Sequence, residues 1–314
     1  MLARTAELAL VSDALGDAET AAALVDAVAA GLGPWLAGDG DGADVLVYDR
    51  TYGGIVSARG LADSEADFGN GWYNDHHFHY GYLLYAAAVA CKLDASGAFL
   101  EAHKDALYAL AYDIASPGGA TTGCVFVCAL VLCCYSLLLL GFLLLPLLPR
   151  AHSRTPPPSY FPKARHKDFF DGHSWASGLF EQANGKSQES SSEAVNAYYA
   201  VALFALAAGD DELLAFGRVL LATEILSTKF YWHMPEGTRV YDKAFAANKM
   251  VGVVGALDAT VSTWFGDRPE CVARVATACE LRSSTHSSLS LSLSPPLYPQ
   301  VRARHQHHAR HAHH

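Results

Sequence analysis

The chain has 314 residues, of which 51% are hydrophobic and 17% charged, with a formal net charge of −10. That is enough apolar material for one large core or two ordinary ones. The acidic balance excludes nucleic acid as a partner, because phosphate binding needs a Lys/Arg excess on one face. The seven cysteines show neither a zinc spacing nor an even disulfide framework, so they assign no redox compartment.

The first 32 residues read as two helices. Leu2, Leu8, Leu10, Val11 and Leu15 suit one helical face, Gly16-Asp17 ends the first helix, and Asp17 caps the second. This opening is amphipathic and carries acidic residues, unlike the continuous apolar stretch of a secretory leader. The expectation is therefore a cytoplasmic protein or one whose start lies upstream. "VLVYDRTYGGIVSARGL" follows, with short β-prone runs around Gly53-Gly54 that predict a hairpin or loop. Tyr80 to Asp94 and Ala98 to Ala115 are predicted helices. Ser192 to Ala208 and Glu212 to Ser227 predict a further helix pair around "GDD". Helix pairs joined by short turns, without βαβ alternation, point to a mainly α toroid or bundle.

Two stretches depart from this pattern. "GCVFVCALVLCCYSLLLLGFLLLPLLP", Gly123 to Pro149, carries no charge and is long enough to span a bilayer, which takes about 20 residues. The end of the chain is low in complexity, then rich in His and Arg, and reads as a disordered tail.

Three segments concentrate chemistry: "GNGWYNDHHFHYGY", "RHKDFFDGHSWASGLF" and "NGKSQESSSEAVNAYYA". His77 and His79 with Asp75 offer a partial ligand set, but no HExxH or Cys pairing accompanies them, so no metal is expected. The carboxylates Asp75, Asp168, Asp171, Glu189 and Glu193 stand among flat aromatic side chains such as Trp72, Tyr73, Trp175, Phe180 and Tyr198. Sugar rings pack on such faces, and glycoside hydrolysis needs one protonated and one ionised carboxyl group. Glu189 and Glu193 are four apart and share a helix face if the helix already runs through both. Alternatively, Ser190 and Glu193 form a capping box that begins the helix, with Glu189 on the preceding loop. Spacing leaves both readings open.

The stretches "YNDHHFHYGY", "HKDFFDGHSWASGLF", "GKSQESSSEAVNAYYA", "LLATEILSTKFYWHM" and "FAANKMVGVV" resemble glycoside hydrolase family 81, the endo-β-1,3-glucanases or laminarinases. The resemblance covers roughly residues 2–116 and 159–270. It implies an (α/α)6 barrel, incomplete in this chain, and hydrolysis of β-1,3-glucan with inversion and without cofactor or metal. It implies Asp75 as general acid and Glu189 or Glu193 as general base. It also places Tyr52, His79, Asp171, His173 and Lys186 along the glucan groove. Family members are secreted or cell-wall associated, and the expected state is a monomer.

The resemblance divides the chain into a first barrel part (1–116), an apolar and Pro-rich insert outside the family pattern (117–158), a second barrel part (159–270) and a Ser/His/Arg-rich tail (271–314). Two other functions stay open on the residues alone: a glucan-binding relative without activity, and a single-pass membrane protein. A true span would put Asp75 and the glutamates on opposite sides of about 30 Å of hydrocarbon, so a span and a shared active site exclude each other.

Overall fold

The computed structural model describes residues 1–37, 45–118 and 158–263. The expectations for the apolar run and for the tail fall outside the described residues. The rest is built mainly from helices. α1 (Leu2–Ala14) and α2 (Ala18–Leu36) form the first hairpin, with Asp17 accepting from the Thr20 amide. α3 (Ala58–Ala62), α4 (His76–Leu93) and α5 (Ala98–Ala115) follow. α6 (Ser191–Ala208), α7 (Asp211–Tyr231) and the short α8 (Lys243–Ala246) complete the set. β1 (Leu46–Asp49) and β2 (Gly54–Ser57) pair antiparallel in the predicted hairpin, with Leu46 opposite Ser57 and Asp49 opposite Gly54. A second sheet joins β3 (Ser187–Gln188), β4 (Val253–Gly255) and β5 (Ala259–Thr260), all antiparallel.

Among the described elements, α4 and α6 make the most extensive packing contact, and α7 packs against α6. Both central helices are apolar nearly all round, which suits helices enclosed by others. Both helices contribute small residues to one buried core, Ala86, Ala87, Ala88 and Ala90 from α4 and Ala197, Ala200 and Ala205 from α6. Gly81 marks the closest approach. A Cβ there would stand 2.9 Å from both Cα and Cβ of Ala197.

α1 corrects the expected face. Ala6 and Ala9 are buried, whereas Leu8, Val11 and Leu15 are exposed. Gly31 of α2 explains the small residues, because a Cβ there would stand 2.4 Å from Leu2. Leu2 and Leu10 of the expected face do pack, partly buried, against the core, so the expected face is divided between core and solvent. No described helix is long and apolar enough to cross a membrane.

Candidate active site

Asp75 is the N-cap residue of α4, yet its side chain makes no capping hydrogen bond. Elsewhere in the chain, Asp17, Asp210 and Asp242 cap their helices by accepting backbone N–H groups in the ordinary way. Asp75 differs because its backbone is left-handed, with φ 56° and ψ 20°. Its carbonyl accepts from the Phe78 and His79 amides, and its own N–H donates to Ala176 O at 3.0 Å. The carboxyl group is thereby turned off the helix axis. It is 9% exposed, and its Oδ1 has no hydrogen-bond partner among the described residues. Burial, then the charges of Glu189 and Glu193, push its pKa up to about 8. Positive φ also occurs at Asp67, Phe68 and Tyr73, so the approach to α4 is a run of backbone held against its preference.

Glu189 lies just before α6, and Glu193 on its first turn. A cavity of about 760 Å³ is lined by Asp75, Glu189, Glu193, His79, Phe78, Asp67 and other residues from both halves of the chain. A smaller one of about 220 Å³ shares Asp75 and Glu189 and adds Asn74, Gln182 and Ser187. Burial and the Glu193 charge raise the Glu189 carboxyl above its ordinary value. Of the two open readings, the shared helix face fails because α6 begins at Ser191, after Glu189; the other places Glu189 on the preceding loop correctly, but its capping box does not form, since the Ser190 side chain accepts no helix amide. The Ser190 amide instead donates to Gln188 Oε1 at 3.0 Å. Gln188 does what Glu193 would have done, which leaves Glu193 to line the cavity.

The other predicted groove residues divide. His79 lines the large cavity, edge-on to Phe68 at 5.4 Å. Tyr52 and Lys186 line a separate cavity of about 550 Å³ together with Tyr73, Trp175 and Phe169. The Lys186 ammonium donates to the carbonyls of Ser177 and Gly178 at 3.2 and 2.9 Å, and burial lowers its pKa. Asp171 and His173 line none of these three cavities. Asp171 accepts from the Tyr231 hydroxyl at 2.9 Å, which ties its loop to α7. His173 is buried edge-on to Trp175, Trp232 and Tyr231 at 4.5, 5.1 and 5.8 Å. Trp72 stacks on Phe180 at 5.4 Å, with 43% of its surface open, and lines none of these cavities.

The clustered histidines take separate partners. His76 Nδ1 pairs with Asp113 Oδ2, and its Nε2 faces Asn70 O at 2.9 Å. His77 Nε2 pairs with the Tyr198 hydroxyl at 3.0 Å, and burial lowers its pKa to about 3, so the ring is neutral. Among the described residues, no three His, Cys, Asp or Glu side chains converge as a metal site.

Two buried ionic groups were not singled out from the sequence. Asp113 accepts from the Ile55 amide at 2.9 Å and pairs with His76 and Arg165. Burial alone would raise its pKa; the His76 and Arg165 charges and these hydrogen bonds outweigh that and hold it low. Glu224 pairs with Lys167 at 2.9 Å. Each is a lone carboxylate within an apolar helix, in "LAYDIA" and "LLATEIL", and that isolation was the available signal.

The Glycosyl hydrolase family 81 C-terminal domain matches residues 1–127 and 150–285. A "Glucan endo-1,3-beta-D-glucosidase" of Glycine max is 35% identical over 266 residues, spanning 84% of this chain and 34% of the relative. The "Primary septum glucan endo-1,3-beta-D-glucosidase" of Schizosaccharomyces pombe is 31% identical over 274 residues, or 87% of this chain and 23% of the relative. The chain thus spans about a third or less of the length of these relatives. Among solved structures, a glycoside hydrolase family 81 protein from Clostridium thermocellum superposes with a TM-score of 0.67 at 23% identity. That match covers 89% of this chain and 34% of the other, and it identifies the helical fold as the family's toroid. The chain belongs to glycosyl hydrolase family 81, matching its C-terminal domain.

Proposed function

We propose that the chain hydrolyses internal β-1,3-glucosidic bonds of glucans with inversion, Asp75 acting as general acid and Glu189 as general base. One observation carries this reading: a carboxyl group with its pKa raised to about 8 shares a cavity with Glu189 and Glu193, whose charges help to raise it. Asp75 then holds its proton at neutral pH, as an acid catalyst must. It gives that proton to the glycosidic oxygen as the bond from that oxygen to the anomeric carbon breaks. Water attacks the anomeric carbon from the opposite face and yields its proton to Glu189. Glu189 is favoured over Glu193 because it lines both cavities that contain Asp75, and its charge weighs more on Asp75. His79 beside the carboxyl groups, and Tyr52 and Lys186 in a separate cavity, are the side chains we assign to glucan contact. The family relatives named above, all glucan endo-1,3-β-glucosidases, support the substrate class.

The test is laminarin digestion followed by proton NMR of the first-formed anomer. The expected product is the α-anomer, with Asp75→Asn and Glu189→Gln each lowering kcat by at least about 100-fold. A β-anomeric first product, or an Asp75→Asn variant with parental kcat, overturns the reading. Laminarin retention without release of reducing sugar by the parent chain makes it a binding module instead.

A further inference from the structure

The short segment from Ser174 to Leu179 touches the backbone on both sides of the site. Toward α4, Ala176 O accepts from the Asp75 amide at 3.0 Å, and the Leu179 amide donates to Trp72 O at 2.8 Å. The Gly178 amide donates to Asn74 Oδ1 at 3.2 Å. The approach is so close that a Cβ on Gly178 would stand 2.0 Å from Trp72 O. Toward α6, the Ala176 amide donates to Ser187 O at 2.9 Å. Gln188 Nε2 donates to Ser174 O at 2.9 Å and to Ser174 Oγ at 3.2 Å.

Gln188 also fixes what lies beyond it. Its Oε1 accepts from the Ser190 amide, so one side chain fastens the residues on both sides of Glu189. Ser174 is held in turn by Glu224, whose Oε1 accepts from the Ser174 amide at 3.1 Å and hydroxyl at 3.2 Å. Each role is filled once: the Ser174 hydroxyl donates to Glu224 and accepts from Gln188. Glu224 Oε2 is paired with the Lys167 ammonium, which also donates to Gly172 O at 2.6 Å. Ser174, Gln188 and Glu224 are fully buried and line none of the cavities that hold Asp75.

We propose that Ser174, Gln188 and Glu224 are positioning residues that set the separation between the Asp75 and Glu189 carboxyl groups. Inversion requires that separation to admit one water molecule, about 6.5–9.5 Å between the two groups. A chain of buried hydrogen bonds anchored on α7 holds one spacer segment against both, so neither carboxyl group moves independently of the other. This rests on the reading of Asp75 as acid and Glu189 as base.

The experiment compares Gln188→Met, Ser174→Ala and Glu224→Gln with the parent chain and with Glu189→Gln, using laminarin as substrate. The expected result for Gln188→Met is a kcat lower by about 10- to 100-fold, since a displacement near 1 Å costs that much. KM stays within about threefold, and the acidic limb of the pH profile moves because Glu189 changes its distance from Glu193 and Asp75. A role in folding alone would lower the melting temperature and the active fraction while leaving the pH profile in place, and that outcome overturns the proposal. If Gln188→Met does not fold, Ser174→Ala, which deletes a single hydroxyl, decides it by the same criteria. Parental activity in Glu189→Gln would defeat the base assignment. Loss of activity in Glu189→Gln with parental kinetics in Gln188→Met would defeat the positioning role alone.

Discussion

Asp75 owes its raised pKa to the direction in which its backbone turns. An aspartate at a helix N-cap ordinarily accepts backbone N–H groups, and both those bonds and the helix dipole favour the ionised form. At Asp75 the backbone is left-handed, the side chain caps no amide, and the carboxyl group is buried in a cavity with Glu189 and Glu193, whose charges add to the effect of burial. Its native pKa of about 8 lies far above the ordinary 3.8, so the folded state binds the proton more tightly than the unfolded state. Stability therefore falls as pH rises from about 4 to about 8 through this group. Asp75→Asn should melt higher than the parent at pH 8 and above and match it below pH 4, while losing activity. The kcat/KM profile of the parent should show an alkaline limb near pH 8 that is absent from the residual activity of Asp75→Asn. Equal melting temperatures across this range, or an unmoved alkaline limb, would count against the assignment. The sequence showed that an acid stood among aromatic rings; it held no sign of the left-handed turn, because aspartate enters that conformation only where neighbouring contacts hold it there.

At the scale of elements, local pattern and packing gave different answers in instructive places. The α1–α2 turn and the cap at Asp17 were legible, since a Gly-Asp pair between two periodic runs is a local signal. The buried face of α1 was only partly legible: Leu2 and Leu10 pack on the core, but its fully buried positions are Ala6 and Ala9, while Leu8, Val11 and Leu15 face out. The capping box at Ser190 and Glu193 was an equally reasonable local reading, overturned by Gln188 arriving from β3. Gly81 offers a test of which influence wins. Helix propensity alone says that alanine there should stabilise by about 1 kcal/mol. The 2.9 Å approach of Ala197 says that it should push α4 away from α6 and cost about 1–3 kcal/mol. Thermal unfolding followed by circular dichroism should show a lower midpoint for Gly81→Ala, together with reduced kcat, since these helices carry Asp75 and Glu193. A higher midpoint would mean that the helices accommodate the methyl group and that the contact is looser than described.

At the scale of the whole molecule, the site exists only because two distant stretches of chain pack as one body, α4 from the first and α6 from the second. Long motifs made both stretches recognisable from sequence, but their juxtaposition is a product of tertiary packing that no local pattern encodes. The junction between them is informative. Ser116 O accepts from the Ala164 amide at 2.9 Å, and Gly118 lies against the Lys163 side chain. Phe161 packs on Tyr48 and Tyr112 beside it. The described chain thus leaves and re-enters the fold at one place. The family match also passes over residues 128–149, the most apolar part of the intervening sequence. We therefore propose that residues 128–149 are an insertion dispensable to the fold. Joining already adjacent ends through a shorter connection changes loop entropy only slowly with length, by about 0.6 kcal/mol per halving. A chain lacking 128–149 should match the parent in melting midpoint and laminarin turnover within about twofold, with higher soluble yield because an uncharged apolar stretch has been removed. A collapse of the thermal transition in the shortened chain would show that these residues bury part of the core. Loss of turnover with an intact transition would show instead that they reach the site where Asp75 and Glu189 meet.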